Sequence, residues 1–136
     1  KAGEFCLDLG SSPGSWTWAI AALGANVFSI DRSALADHIV NKNIEFRTGN
    51  AFALSPDDFQ QVDWLFSDVI CYPEKLLELV EKWLASKKVK NFVCTIKFQG
   101  KVDPQIIEKF KNIPSSRVLH LHHNKHELTW ICEVLK

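Results

Sequence analysis

The chain has 136 residues, 46% of them hydrophobic, which is enough for one domain that folds alone, and nothing suggests a second. Its 16 basic residues balance 16 acidic ones, which excludes a general attraction of the whole molecule for a polyanion, so any nucleic-acid contact must come from a local patch or an additional segment. No apolar run reaches about 18 residues and no charged-then-apolar leader is visible, so the expectation is a cytoplasmic protein without a membrane span or signal peptide. The chain has no methionine and opens on Lys1 directly before its first apolar run, which reads as a piece of a longer protein.

Taken in order, Phe5–Leu9, interrupted only by Asp8, predicts a strand. Gly10, Ser11, Ser12 and Pro13 make a tight turn, and a helix runs from Gly14 to about Leu23, stopped by Gly24. Asn26–Asp31 is the second strand, Ser33–His38 can cap and form a short helix, and Ile44–Gly49 is the third strand. Ser55 reads as a helix cap with Asp57 and Asp58 in the first turn. Val62–Ile70 predicts a buried fourth strand whose last charged residue is Asp68.

From Pro73 to about Lys87, Leu76, Leu77, Leu79, Val80, Trp83 and Leu84 recur at helical spacing while Glu74, Lys75, Glu78, Glu81 and Lys82 take the other face. Asn91–Phe98 is the fifth strand, with Lys97 near its end, and Pro104–Ile113 another helix. Arg117–His123 and Glu127–Leu135 alternate apolar and polar residues across a short gap, predicting an antiparallel hairpin. The sum is an α/β fold: a mostly parallel sheet covered by helices on both faces, with one reversed strand at its edge.

The chemistry gathers at the turn after Leu9. Glycines let a backbone approach a ligand that a side chain would block, and the amides of a helix start favour a partner rich in acceptors. A dinucleotide turn wants G-x-G-x-x-G, whereas this one offers Gly10 and Gly14 with Pro13 between them, so the pyrophosphate cradle is absent. Asp31 ends the second strand, where a carboxylate can accept both hydroxyls of a ribose. A nucleoside without phosphates fits better. Open α/β sheets bind ligands outside the carboxyl ends of their strands, and Gly10, Asp31, Asn50, Asp68 and Lys97 all fall there. Singly, Asp68 also reads as a helix cap and Lys97 as a snorkelling strand end. Their joint appearance favours a site.

Other reactive side chains carry less. Cys6, Cys71, Cys94 and Cys132 lack C-x-x-C spacing and read as free thiols, three of them inside apolar strands. His120 and His122 share a strand face, but no cysteine or carboxylate pair completes a metal site. With His123, His126, Lys125 and Lys101 they read as a polar strip adding positive charge for RNA phosphate. Trp16, Trp18, Trp64, Trp83 and Trp130 are expected mostly in the core, where an exposed one could stack a base.

DLGSSPGSW, SIDRS, TGNAF, VDWLFSDV with Pro73 downstream, TIKF and HNKHELTW occur in the order and spacing of a known family. The chain resembles the FtsJ-like ribose 2′-O-methyltransferases of ribosomal RNA, closest to the bacterial branch that methylates a cytidine of large-subunit ribosomal RNA (RlmM-type). The resemblance covers nearly the whole chain. It implies a Rossmann-like class I methyltransferase fold, S-adenosyl-L-methionine as methyl donor, RNA before full ribosome assembly as partner, and a lysine-aspartate-lysine-glutamate tetrad around the ribose hydroxyl. On that resemblance Asp68, Lys97 and Glu127 match three tetrad members. Gly10, Ser12, Pro13, Gly14, Ser15 and Trp16 match the cofactor turn, Asp31 the ribose carboxylate, Asn50 the adenine-side acid, and Asp68 again a cofactor contact.

Three departures stand out. The family's first tetrad lysine lies well upstream of the glycine turn, and Lys1 is too close to Gly10 to replace it. Position 50 is Asn where the family usually has Asp, and Ser15 replaces the second turn glycine. The domain expectation is therefore one catalytic domain over residues 1–136, part of a longer chain with an upstream RNA-binding region. Competing readings are a non-catalytic module that holds S-adenosylmethionine or RNA, and a methyltransferase with a protein or small-molecule acceptor. SDVICYP lacks the Asn/Asp-Pro-Pro-aromatic motif of amino-methylating families, which favours oxygen over nitrogen.

Overall fold

The computed structural model describes residues 1–12, 14–37, 39, 41–120 and 126–134, and of Ser15 the backbone. Seven strands form one sheet: β1 (Phe5–Leu9), β2 (Asn26–Asp31), β3 (Ile44–Thr48), β4 (Val62–Ser67), β5 (Val89–Lys97), β6 (Ser116–Leu119) and β7 (Glu127–Glu133). Three α-helices accompany them, α1 (Ser15–Ala22), α2 (Pro73–Ser86) and α3 (Pro104–Lys111), with 3-10 turns at Ala51–Ala53 and Pro56–Asp58. The strand order is β3-β2-β1-β4-β5-β7-β6. Pairings among β1 to β5 are parallel, and β7 is antiparallel to both β5 and β6. The chain winds outward from β1 through β2 to β3, then restarts at β4, so a switch point lies between β1 and β4.

The reversed strand is β7, as the hairpin predicted, but it does not hold the edge; β6 does. The reason is composition. Trp130 and Cys132 of β7 are fully buried, whereas β6 is four residues long and alternates half-buried with exposed positions, including Arg117. A short, partly charged strand is the cheaper one to leave with unpaired backbone groups.

One face of the sheet is sealed. Leu7, Leu9, Leu65, Phe92, Cys94, Ile96 and Trp130 have no exposed surface and join Leu76, Val80 and Trp83 of α2 and Ile106 and Phe110 of α3 in one core. The indole N–H of Trp130 donates to the Phe110 carbonyl at 3.1 Å, so this large side chain is buried without an orphaned donor. On the other face α1 lies over β1 and β2. The Thr17 hydroxyl donates to Asp8 Oδ2 at 2.5 Å and lies 2.8 Å from Ser29 Oγ, joining helix and both strands beneath it.

Beyond α1, that second face is open among the described residues. Register and alternation put Trp64, Phe66, Val93 and Ile131 side by side across β4, β5 and β7, all only partly buried. Helix cover on both faces thus holds for the α2–α3 side and for half of the other. The tryptophans divide accordingly. Trp83 and Trp130 are in the core, while Trp16 and Trp18 of α1 are exposed.

The Ser33–His38 helix is absent over 33–37, and His38 lies outside the described residues. Asp31 Oδ1 accepts the Ser33 N–H at 2.9 Å, the bond an N-cap would make, but no helical turn follows it. By contrast Ser55 does cap: its hydroxyl accepts from the Asp57 N–H, over a 3-10 turn of three residues.

Candidate functional site

At the switch point, outside the carboxyl ends of the parallel strands, lies a cleft of about 520 Å³. Gly10 after β1, Asp31 ending β2, Asn50 after β3, Asp68 after β4 and Lys97 ending β5 all line it, together with Ser12. Five rim residues predicted from five separate segments therefore face one space. The volume falls within the roughly 300–1,000 Å³ of small-molecule sites.

The β1–β2 wall is held by backbone amides. Gly10 N–H and Ser11 N–H both donate to the Ile30 carbonyl, at 2.9 and 3.3 Å. Asp31 accepts Ser12 N–H on Oδ2 at 3.0 Å and Ser33 N–H on Oδ1 at 2.9 Å. Both carboxylate oxygens are thereby oriented, and each keeps a lone pair for a further donor such as a hydroxyl. The glycines prove necessary for a reason other than ligand approach. Gly10 has φ 75°, and a Cβ there would stand 2.8 Å from Val69 Cγ2 and 3.0 Å from Val69 Cα. At Gly14, φ 118°, it would meet Ile39 and Leu35. What they admit is neighbouring protein: the loop after β4 and the segment after β2.

Beneath this wall Asp8 is 1% exposed. Burial pushes its carboxyl up to about 6, the Thr17 hydroxyl pulls it down, and the nearby carboxylates Asp68 and Asp31 push it up again. Asp8 itself does not line the cleft; it is enclosed between β1 and α1, bonded to Thr17.

Across the switch point the arrangement depends on side chains. The Lys97 ammonium donates to the Asp68 main-chain oxygen at 2.9 Å and pairs with Asp68 Oδ1 at 3.3 Å, and Asp68 N–H in turn donates to Leu9 at the end of β1. Lys97 is the more buried partner, at 18% side-chain exposure against 41% for Asp68. Glu127 stands directly opposite Lys97 in the β5–β7 register, so both project from the same face of the sheet. Asn50 accepts the Phe52 N–H on Oδ1 at 3.0 Å, which leaves its NH2 as the group it can donate with.

Not every expected site residue arrives. Trp16 lies in a separate apolar hollow with Ala19, Ile20, Phe66 and Val93, its ring edge-on to Phe66 at 6.0 Å. Gly14 does not line the cleft, and Pro13 and the Ser15 side chain lie outside the described residues, as do His122, His123 and Lys125. No cluster suited to a metal ion occurs among the described residues, and the four cysteines are free thiols; burial pushes Cys6 up to about 12. Conversely, Val69 to Tyr72, Phe52 and Lys75 line the cleft without having been singled out. The signal for the first was their position just past a strand end; Lys75 carried none, because helical periodicity placed it on a solvated face.

The sequence model of the FtsJ-like methyltransferase family matches residues 1–125. The chain belongs to that family. Among relatives of this FtsJ-like chain, ribosomal RNA large subunit methyltransferase M of Thauera aminoaromatica is 26% identical over 140 residues, covering 95% of the chain and 38% of that protein. The protein of the same name from Marinomonas sp. (strain MWYL1) is 29% identical over 146 residues, covering 98% and 41%. The chain therefore spans about two fifths of the length of these relatives. A solved rRNA methylase from Streptococcus thermophilus superposes with TM-score 0.69 at 15% identity, covering 100% of this chain and 89% of the other. A TehB-like SAM-dependent methyltransferase from Corynebacterium glutamicum gives 0.65 at 13%, covering 98% and 82%. These likenesses establish the Rossmann-like methyltransferase fold. No helix among the described residues is long and apolar enough to cross a membrane.

Proposed function

We propose that this FtsJ-like chain is the catalytic domain of an S-adenosyl-L-methionine-dependent ribose 2′-O-methyltransferase of large-subunit ribosomal RNA, working in a longer protein with an RNA-binding region. The RNA is met before full ribosome assembly, in the cytoplasm. The observation that carries the reading is the Lys97–Asp68 pair standing in the same cleft as Asp31 and Gly10. The chemistry of the cleft fits an adenosyl cofactor. Asp31 offers acceptors for ribose hydroxyls, Val69 and Phe52 offer apolar walls for a base, and the turn lacks the G-x-G-x-x-G pattern of a pyrophosphate cradle. Family membership and the names of the relatives support the donor, the RNA acceptor and the ribosomal source.

Bound there, S-adenosylmethionine would supply a methyl group on a sulfonium, already a good leaving group. The residues must handle the acceptor, since a ribose hydroxyl stays protonated at neutral pH. Lys97 commits two N–H donors to Asp68. An ammonium has three, so one remains for the acceptor oxygen, which it orients and whose developing negative charge it stabilises. Should Lys97 lose that third proton on substrate binding, Nζ becomes the base that takes the hydroxyl proton. Asp68 positions the lysine and would contact the cofactor, and Glu127 offers a second carboxylate across from it in the β5–β7 register. Asp31 and Ser12 would hold the cofactor ribose and Asn50 the adenine side.

Calorimetric titration with S-adenosylmethionine tests the first half. Transfer of labelled methyl to protein-free large-subunit rRNA, by the chain extended at its N-terminus, tests the second. Label appearing at a ribose, as alkali-resistant dinucleotide, is the expected result; label on a base, or no binding of the cofactor, overturns the reading.

A further inference from the structure

The wall of the cleft formed by Asn50, Ala51 and Phe52 has little backbone support of its own. The last bond tying it to the sheet is Gly49 N–H to the Asp31 carbonyl at 2.9 Å. After that come only local turn bonds, Ala53 N–H to Asn50 and Leu54 N–H to Ala51, at 3.0 and 3.3 Å. Yet three main-chain carbonyls of this segment are capped, all by lysines of α2 or its end. The Lys82 ammonium donates to the Phe52 and Leu54 oxygens, both at 3.0 Å, and Lys88 donates to the Pro56 oxygen at 2.9 Å. About two turns before Lys82 on the same helix face, the Lys75 ammonium lies 4.6 Å from the centre of the Phe52 ring. The polar side of α2 is thus not only solvated: its lysines reach across to the segment between β3 and β4.

Lysine suits the task. A compact ammonium with three rotatable donors can serve two carbonyls that converge on one point. Partial desolvation against these carbonyls lowers the Lys82 pKa, though the side chain stays largely in contact with water.

We propose that Lys82 is a positioning residue for the cofactor cleft: by bridging the carbonyls of Phe52 and Leu54 it fixes the turn that presents Asn50 and Phe52 to the ligand. The proposal rests on the reading above for the identity of that ligand. Lys82 touches no substrate, so its removal should act on affinity and leave the chemical step alone.

The test compares the native chain with Lys82→Met and Lys82→Arg, using S-adenosylmethionine as the probe and hydrogen exchange at residues 51–54 as a readout independent of it. Lys82→Met should raise the cofactor Kd about tenfold, equivalent to 1.4 kcal/mol. It should leave kcat at saturating cofactor within twofold and speed exchange at 51–54, and Lys82→Arg should recover part of both. Unchanged Kd and unchanged exchange in folded Lys82→Met overturn the proposal while the function stands. A native chain that binds no S-adenosylmethionine overturns the function, and exchange still decides whether Lys82 holds the turn. If Lys82→Met does not fold, Lys82→Gln, which keeps an amide donor on a shorter side chain, should show changes of the same sign in both readouts; no change in either overturns the proposal.

Discussion

The two sides of the cleft are built on different principles. Around Gly10, Ser12 and Asp31 the chain is held by backbone amides, two of them on one carbonyl of β2 and two on the Asp31 carboxylate. Around Asn50, Phe52 and Lys97 it is held by ammonium groups: Lys82 and Lys88 on main-chain oxygens, and Lys97 on Asp68. The first side is an extension of the sheet and inherits its rigidity. The second is assembled from long side chains of α2 and β5, so single substitutions there can alter the site without unfolding the protein.

The sharpest expression of that difference is Lys97→Ala. Proton handling and charge stabilisation by one positioned group contribute on the order of 10²–10⁴ in rate, so methyl transfer should fall by that factor. The melting temperature and the cofactor Kd should stay nearly native, since Lys97 makes its contacts with Asp68 and not with the sheet core. Near-native turnover in a single-turnover methyl-transfer assay would remove Lys97 from the mechanism. On the other side, Gly10→Ala should act through the fold. A Cβ at φ 75° with Val69 Cα at 3.0 Å meets backbone that cannot swing away, as a flexible side chain would. Left-handed strain and overpacking together suggest a loss of about 2–4 kcal/mol in denaturant unfolding, with cofactor binding weakened alongside. A variant of native stability that still loses the cofactor would show that Gly10 serves the ligand directly, and would erase the contrast.

This asymmetry also explains what was legible beforehand. Unbroken apolar runs such as Val62–Ser67 and Val89–Lys97 announced buried strands, and charged residues at their ends announced a rim, because period and polarity are local properties. The residues that hold the second wall were not announced. Helical spacing says that Lys75 and Lys82 face away from the core, but not that carbonyls of residues 52 and 54 wait across the gap. Trp16 was misplaced for a related reason: α1 is apolar nearly all round, so its sequence does not say which face meets the cleft and which meets Phe66. At Ser33 the capping bond forms, from Asp31 Oδ1, without a helix after it, so a cap signal alone did not make one.

A smaller effect tests what lies beneath the first wall. The Asp8 carboxyl is pushed up to about 6 in the folded protein, against the ordinary 3.8 of an aspartate in the unfolded chain. Between those values the folded state binds more protons. Its contribution is therefore fully favourable below about 4, is lost as pH rises to about 6, and is constant above. Asp8→Asn keeps an oxygen for Thr17 and removes the titration. At pH 8 the variant should be more stable by about 1–3 kcal/mol, with the advantage shrinking as pH falls through that window. Asp63, held below the usual carboxylate range by the Phe5 amide and Lys90, titrates in the opposite sense. The measurement is therefore the difference between native and variant denaturation midpoints at each pH, in which Asp63 cancels. A difference that does not vary between pH 4 and 7 would mean that Asp8 is solvated like an ordinary carboxylate.

The last and mildest change sharpens the second wall. Asn50→Asp keeps the acceptor for Phe52 N–H, so the turn should hold its shape, while the donor NH2 becomes a second acceptor. An adenine amino group meeting that position gains a charge-assisted bond, about 0.5–1 kcal/mol because the site is exposed. The expected result is a Kd for S-adenosylmethionine lowered about threefold, with no change for an analogue that carries hydrogen in place of the amino group. Equal tightening of both ligands would trace the gain to general attraction for the sulfonium charge. Weaker binding of both would mean that the base turns an acceptor edge toward residue 50, which reverses its orientation against this wall and makes the amide the better residue here.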